Sequence, residues 1–195
     1  NQLRPLMQEM QNKGETIGEF EQYLHNRHAE DYNIQVAKVN PDSPDMQDGG
    51  SGIKTEDARK YLSSLPEDKR KVYESLAKKL DSITKGTRQL LVKSGLEAPD
   101  TIAAWEKAFP NYVPLHREDV DFQYTTTSTG VGQGFDVRGG FSRRAMGSKR
   151  NVVDILANIA MQRERAIVRD NKNRVAQALF GRVVQNPNPD FWMAI

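Results

Sequence analysis

The 195-residue sequence contains no cysteine, which removes disulfide frameworks, thiolate zinc sites and cysteine nucleophiles together. The redox compartment stays open. It also lacks any apolar run near the roughly 18 residues that span a bilayer, and its mean hydropathy is −0.72, so no membrane-spanning segment is expected. No Gly-x-Ser-x-Gly elbow, Lys-containing phosphate loop or His-Glu-x-x-His helix occurs, and the common motif-bearing catalysts are therefore unsupported. A non-enzymatic chain without a cofactor is expected. Hydrophobic residues are 37% and charged residues 28%, a polar composition that limits the core to one modest domain or two helical lobes. The opening Asn1-Gln2-Leu3-Arg4 has neither an initiating Met nor the regions of a secretory signal, so a processed or excised piece is expected.

Net charge is only +2, but it is unevenly spread. Residues 1–120 hold 17 Lys/Arg against 20 Asp/Glu, whereas residues 121–195 hold 11 against 6. An anionic partner should meet the C-terminal part.

Helical signals dominate. Thr16-Ile17-Gly18-Glu19 has capping-box spacing, and the stripe Phe20, Tyr23, Leu24, Arg27, His28, Asp31, Ile34 and Val39 predicts a helix that stops at Asn40-Pro41. Two prolines and three glycines within residues 40–54 predict a loop or linker. Thr55 should cap a short helix, and Leu65-Pro66-Glu67 should start a longer one running to Lys93. Val72, Leu76, Leu80, Ile83, Thr87, Leu90 and Leu91 form its core stripe, with Ser94-Gly95 as a left-handed stop. Pro99-Asp100-Thr101 opens a helix carrying Ile102, Trp105, Ala108 and Phe109, followed by an extended Tyr112-Val113-Pro114-Leu115. Residues 121–148, with a Thr/Ser tract and scattered glycines, read as a flexible arm. From Val152 to Gln185, helical spacing predicts one helix ~50 Å long, packed on the earlier helices at one end and on another chain or domain at the other.

Five groups of residues invite a functional reading. Glu21, His25 and His28 share a helix face and could offer metal ligands, but the remaining histidine, His116, is remote in sequence; a solvated or partner-facing surface is favoured, and no metal is expected. Gly130, Gly132 and Gly134 suggest a phosphate cradle, yet no helix follows promptly, which favours a plain loop. Trp105, Phe109, Tyr112 and Leu115 should fold back as core onto the Leu76/Leu80/Ile83 stripe rather than line a pocket. Arg138, Arg143, Arg144, Lys149 and Arg150 form the basic arm that would neutralise phosphates if nucleic acid is bound. Ile155, Ile159 and Ile167, with Phe191 and Trp192 beyond the helix, are the candidate partner interface.

A family resemblance rests on Pro5-Leu6, Gly14, Phe20-Glu21-Gln22-Tyr23-Leu24, Arg27-His28-Ala29-Glu30, Asn40-Pro41, Gly50-Ser51-Gly52, Ala104-Trp105, Tyr112-Val113-Pro114-Leu115 and Arg117-Glu118. It continues through Arg143-Arg144-Ala145-Met146-Gly147, Asp154-Ile155-Leu156-Ala157-Asn158, Glu164-Arg165-Ala166, Lys172-Asn173-Arg174-Val175 and Asn186-Pro187-Asn188-Pro189-Asp190. This order resembles the large polyvalent proteins of phages and conjugative elements, the C-terminal part being similar to the helical associated domain that recurs in them. The resemblance implies a module of a much longer chain, packaged inside the virion and delivered to the host with the DNA, with catalysis belonging to other domains. No active-site residue carries over from it.

The expected architecture is all-α and elongated: an N-terminal helical lobe over 1–120 with its loop at 40–54, the arm over 121–148, and a long helix with a Pro/aromatic tail over 149–195. The expected role is a structural module that assembles with other phage virion proteins or with copies of itself. The alternatives are DNA binding through the basic arm, and support of an enzyme elsewhere on the parent chain, such as a virion RNA polymerase or a peptidoglycan hydrolase.

Overall fold

The structure is a computed structural model that describes residues 3–115, 147–148, 152, 154–186 and 188. The described residues form six α-helices: α1 (Leu3–Asn12), α2 (Ile17–Val39), α3 (Thr55–Ser64), α4 (Glu67–Lys93), α5 (Pro99–Ala108) and α6 (Ile155–Gln185), with a single 3-10 turn at Pro44–Met46. The all-α class expected from periodicity holds.

Helix α1 has no counterpart among the helices expected from sequence. It forms because Leu3, Leu6 and Met10 fall three and four residues apart and bury together, while Pro5 sits in the first turn, where its missing N–H costs little. Helix α2 starts as expected, with Thr16 Oγ1 accepting from the Glu19 N–H at 3.3 Å. The reciprocal bond of a full capping box is replaced by the Thr16 hydroxyl donating to the Glu19 carboxylate at 2.9 Å. Its buried residues, Phe20, Tyr23, Leu24, Asn26, His28, Ala29, Asn33 and Val36, spread over more than one face. The helix is therefore central rather than narrowly amphipathic, and Ile34, expected in its apolar stripe, is exposed.

Helix α4 carries the core stripe as expected. Leu76, Leu80, Ile83, Thr87 and Leu91 are buried along it, together with Tyr73 and Ala77. It ends at Gly95, whose φ of +69° lets the N–H of Leu96 reach the carbonyl of Leu91 at 3.0 Å, the wrap that satisfies the last carbonyls of a helix. The hydrophobic core joins Leu3, Leu6 and Met10 of α1, Phe20, Tyr23 and Leu24 of α2, the α4 stripe, Val113, and Ile155, Leu156 and Ile159 of α6. Across it, Arg27 grips Asp81 with both terminal nitrogens, at 2.9 and 2.6 Å, a two-point bond that fixes α2 against α4.

Residues 40–54 are a loop, but a built one. Asn33, buried on α2, donates from Nδ2 to Asp48, to the Ile53 carbonyl and to Thr55, while its Oδ1 accepts from the Ser51 N–H at 2.7 Å. Helix α3 is not capped by Thr55 in the manner expected. Thr55 is its first helical residue, and Asp48 accepts from both the Thr55 N–H and its hydroxyl.

Candidate partner interface

Helix α6 has a poor start of its own. Asp154, which precedes it, is left-handed at φ +46° and makes no side-chain cap. The cap comes from α2 instead, because Glu21 accepts from the Leu156 N–H at 2.8 Å. Burial raises the Glu21 carboxyl above its ordinary range, the Leu156 bond and Asp154 acting as smaller opposing and reinforcing influences.

Along α6, positions 155, 159, 162, 166, 170, 173, 176, 180 and 184 recur at three- and four-residue steps and so form one continuous face. The first six are engaged by the bundle. Ile155 and Ile159 are 2% exposed within the core and Ala166 is fully buried. Gln162 donates to the Tyr112 hydroxyl at 2.9 Å, Asp170 is buried and holds Arg174 at 3.1 Å, and Asn173 donates to the Ser94 carbonyl at 2.6 Å. Beside this face, Arg163 reaches Thr87 at 3.2 Å. The pairs 87–163 and 94–173 rise together, so α4 and α6 run parallel and α4 ends at Asn173.

Beyond that point the face opens to solvent. Ala176 is half-buried, but Phe180 and Val184 are exposed, at 71% and 61%. Gln177, beside Ala176, is exposed as well and gives the face a polar edge. Residues 174–185 extend ~18 Å past α4 at 1.5 Å per residue. A second apolar strip, Val168, Val175 and Leu179, also lies open, Leu179 at 52%. Isolated exposed apolar residues are ordinary, but here several stand open together on one helical segment, Val168, Val175, Leu179, Phe180 and Val184.

The structure corrects part of the partner interface read from sequence. Ile155 and Ile159 belong to the chain's own core and are closed to another chain. Ile167 is exposed, at 41%. Phe191 and Trp192 lie outside the described residues, as do Arg138, Arg143, Arg144, Lys149 and Arg150 of the basic arm, His116, and the glycines at 130, 132 and 134. Of the arm, only Gly147 and Ser148 are described; the Ser148 N–H donates to the Gly50 carbonyl at 2.8 Å, which seats them on the loop after α2. Phe180 and Val184 are absent from the sequence-based interface, although the face through Ile155 and Ile159, extended by threes and fours, passes through both.

The histidine group separates. Glu21 caps α6, and His25 Nε2 lies 2.8 Å from the Ser51 carbonyl. His28 is fully buried, ringed by Tyr32, Phe109 and Tyr112 at 5.5, 5.8 and 5.8 Å between centroids. Neither of its ring nitrogens has a hydrogen-bond partner among the described residues. Burial, reinforced by the charges of His25, Arg88 and Arg27, lowers it to about 3. No group of three His, Asp or Glu residues among those described is placed to hold a metal ion. Of the aromatic segment expected to fold back on the α4 stripe, Leu115 packs on the core. Phe109 and Tyr112 close over His28 instead, with the Arg88 guanidinium 4.8 Å from the Tyr112 ring centre.

Among the described helices none is long and apolar enough to cross a membrane. No protein-family model, curated protein or solved structure matches the chain.

Proposed function

We propose that this chain is a non-enzymatic assembly module of a large phage virion protein, held inside the particle and delivered with the genome, with the free end of α6 as its assembly element. The observation that carries the assembly role is the continuity of the α6 face. The positions that bury α6 against α4 run on through Ala176 to Phe180 and Val184, which stand open to solvent. A lone helical end in water is weakly stable, since most helical stability comes from packing of an apolar face. Retaining Phe180 and Leu179 there favours docking. The phage setting rests on the sequence resemblance, from Pro5 to Trp192.

Two measurements test the reading. Mass spectrometry of purified particles should find the 195-residue sequence among internal proteins at a stoichiometry comparable to other ejected components. Cross-linking of intact particles should place residues 174–185 against a neighbour. Particles that lack the sequence, or cross-links that never involve this segment, would sink the proposal.

A further inference from the structure

We infer that residues 96–112 form a cover over His28 that acid releases while the helical core stays folded. This goes beyond the assembly reading and is independent of it.

The His28 ring is fully buried, with Phe109 and Tyr112 of the cover each 5.8 Å from it between ring centroids and Tyr32 of its own helix at 5.5 Å. A proton taken up here finds no acceptor, because neither ring nitrogen has a hydrogen-bond partner among the described residues, and a buried unpaired charge is costly. Water relieves that cost once a wall of the site moves. Helices α2 and α4 are poor candidates to move, since they carry the core residues Phe20, Leu24, Leu76 and Leu80 and are clamped by Arg27 and Asp81. The cover is the weaker wall. Helix α5 buries only Ile102, which stands outside the hydrophobic core formed by the described residues. Its fastenings lie at the margin: Asn111 donates from its N–H and from Nδ2 to Asp31 at 3.0 Å each, Gln162 donates to the Tyr112 hydroxyl, and Glu106 stands 3.9 Å from Arg88. Gly95, at φ +69°, and Val113, 1% exposed in the core, anchor its two ends. Local opening draws on such thinly packed segments first.

The charges around the ring favour opening in acid. His25 and Arg27 on α2 and Arg88 on α4 reinforce burial in lowering His28 to about 3. An opened ring therefore binds a proton that the closed one refuses, and this favours the open cover as pH falls from about 6.5 toward about 3. Asp31 acts in the other direction: burial raises its carboxyl, against the two Asn111 bonds, so its protonation favours the closed cover. Burial also raises the Tyr112 hydroxyl, which keeps its proton in acid, and Gln162 of α6 carries no charge. His28 is thus the group that drives release.

Trp105 lies on α5 within the cover, and the sequence holds one other tryptophan, Trp192. In the whole chain carrying Trp192→Phe, Trp105 emission should shift to longer wavelength on acidification, with a midpoint at higher pH than the loss of far-ultraviolet ellipticity. His28→Leu should lower the Trp105 midpoint until the two coincide. Asn111→Ala, which removes one fastening, should raise the Trp105 midpoint and leave the ellipticity midpoint in place. Proton resonances of the His28 ring, followed by NMR in the Trp192→Phe chain, should titrate together with the Trp105 shift; this reads the link even where a substitution prevents folding. Coincident midpoints in the Trp192→Phe chain overturn the inference, as does a Trp105 midpoint that His28→Leu leaves unchanged. A His28 ring that stays neutral while the Trp105 signal moves overturns it as well.

Discussion

The Glu21 carboxylate and the Leu156 N–H, 135 residues apart in sequence, meet at 2.8 Å. That bond gives α6 the N-terminal cap that Asp154 fails to provide, and it ties the last described helix to α2. The first consequence is a measurable coupling. Glu21→Ala removes the acceptor and should lower stability by about 1–2 kcal/mol, the usual cost of losing a cap. Glu21→Gln retains an oxygen at the same place and should cost less. Because burial raises the Glu21 carboxyl, the folded state holds its proton more tightly than the unfolded chain. Its contribution is fully present below the ordinary carboxyl range and is lost as pH rises through the raised value. Urea melts from pH 4 to pH 8 should show this loss in the wild type and not in Glu21→Gln. An identical pH profile for the two proteins would disprove the role assigned to Glu21.

His28 produces the opposite slope. It is fully buried and lowered to about 3, so the unfolded chain takes up a proton that the folded one refuses. Its share of stability is present above about 6.5 and is lost as pH falls toward about 3, at up to ~1.4 kcal/mol per pH unit for one proton. His28→Leu should flatten the profile over that window. At neutral pH it should be close to neutral in stability, because an apolar group replaces a ring whose nitrogens have no partner among the described residues. A His28→Leu protein that loses several kcal/mol at pH 7 would show that a ring nitrogen is bonded after all.

Close approach at two glycines supports the join between the loop and the segment leading into α6. A Cβ on Gly147 would lie 2.6 Å from Val36 Cγ1 and 2.9 Å from Met46 Sδ. Gly147 also has a φ of +80°, which side chains rarely adopt. A Cβ on Gly50 would collide with the same Val36 side chain. Gly147→Ala and Gly50→Ala should each destabilise by about 1–3 kcal/mol, the range for forced overpacking. Gly181→Ala, with nothing within 4 Å of the added Cβ, should instead stabilise its helix by about 0.5–1 kcal/mol. Thermal melts of the three variants check the signs.

Legibility in the sequence follows the reach of each signal. The α4 stripe from Leu76 to Leu91 is readable because burial on one side imposes a local period. Helix α1 is not, since its three apolar residues make too short a run for a period to stand out, and it forms by packing on α4 rather than by propensity. The Asn33 hub is hidden for a different reason: its partners Asp48, Ser51, Ile53 and Thr55 lie in a loop whose composition signals only the absence of regular structure. At the candidate interface, the period of α6 is visible but its boundary is not. Sequence cannot tell which part of a long apolar face α4 covers, so a reading by period alone turns Ile155 and Ile159 outward and passes over Phe180 and Val184.

That boundary is itself testable at Asn173. Its Nδ2 satisfies the Ser94 carbonyl at the C-terminal end of α4, where a helix leaves unpaired acceptors. Asn173→Ala should cost about 1–2 kcal/mol, whereas Phe180→Ser, at an exposed position nearer the open end, should stay within about 0.5 kcal/mol. Hydrogen exchange supplies the spatial map. Amides of residues 159–170 should exchange only with opening of the bundle. Those of residues 177–185 should exchange orders of magnitude faster, because none of their side chains joins the core formed by the described residues. Adding a partner that binds the free face should slow the second group and leave the first unchanged. Uniform protection along α6 in the isolated chain would mean that its end is already covered, and the interface would have to be sought elsewhere.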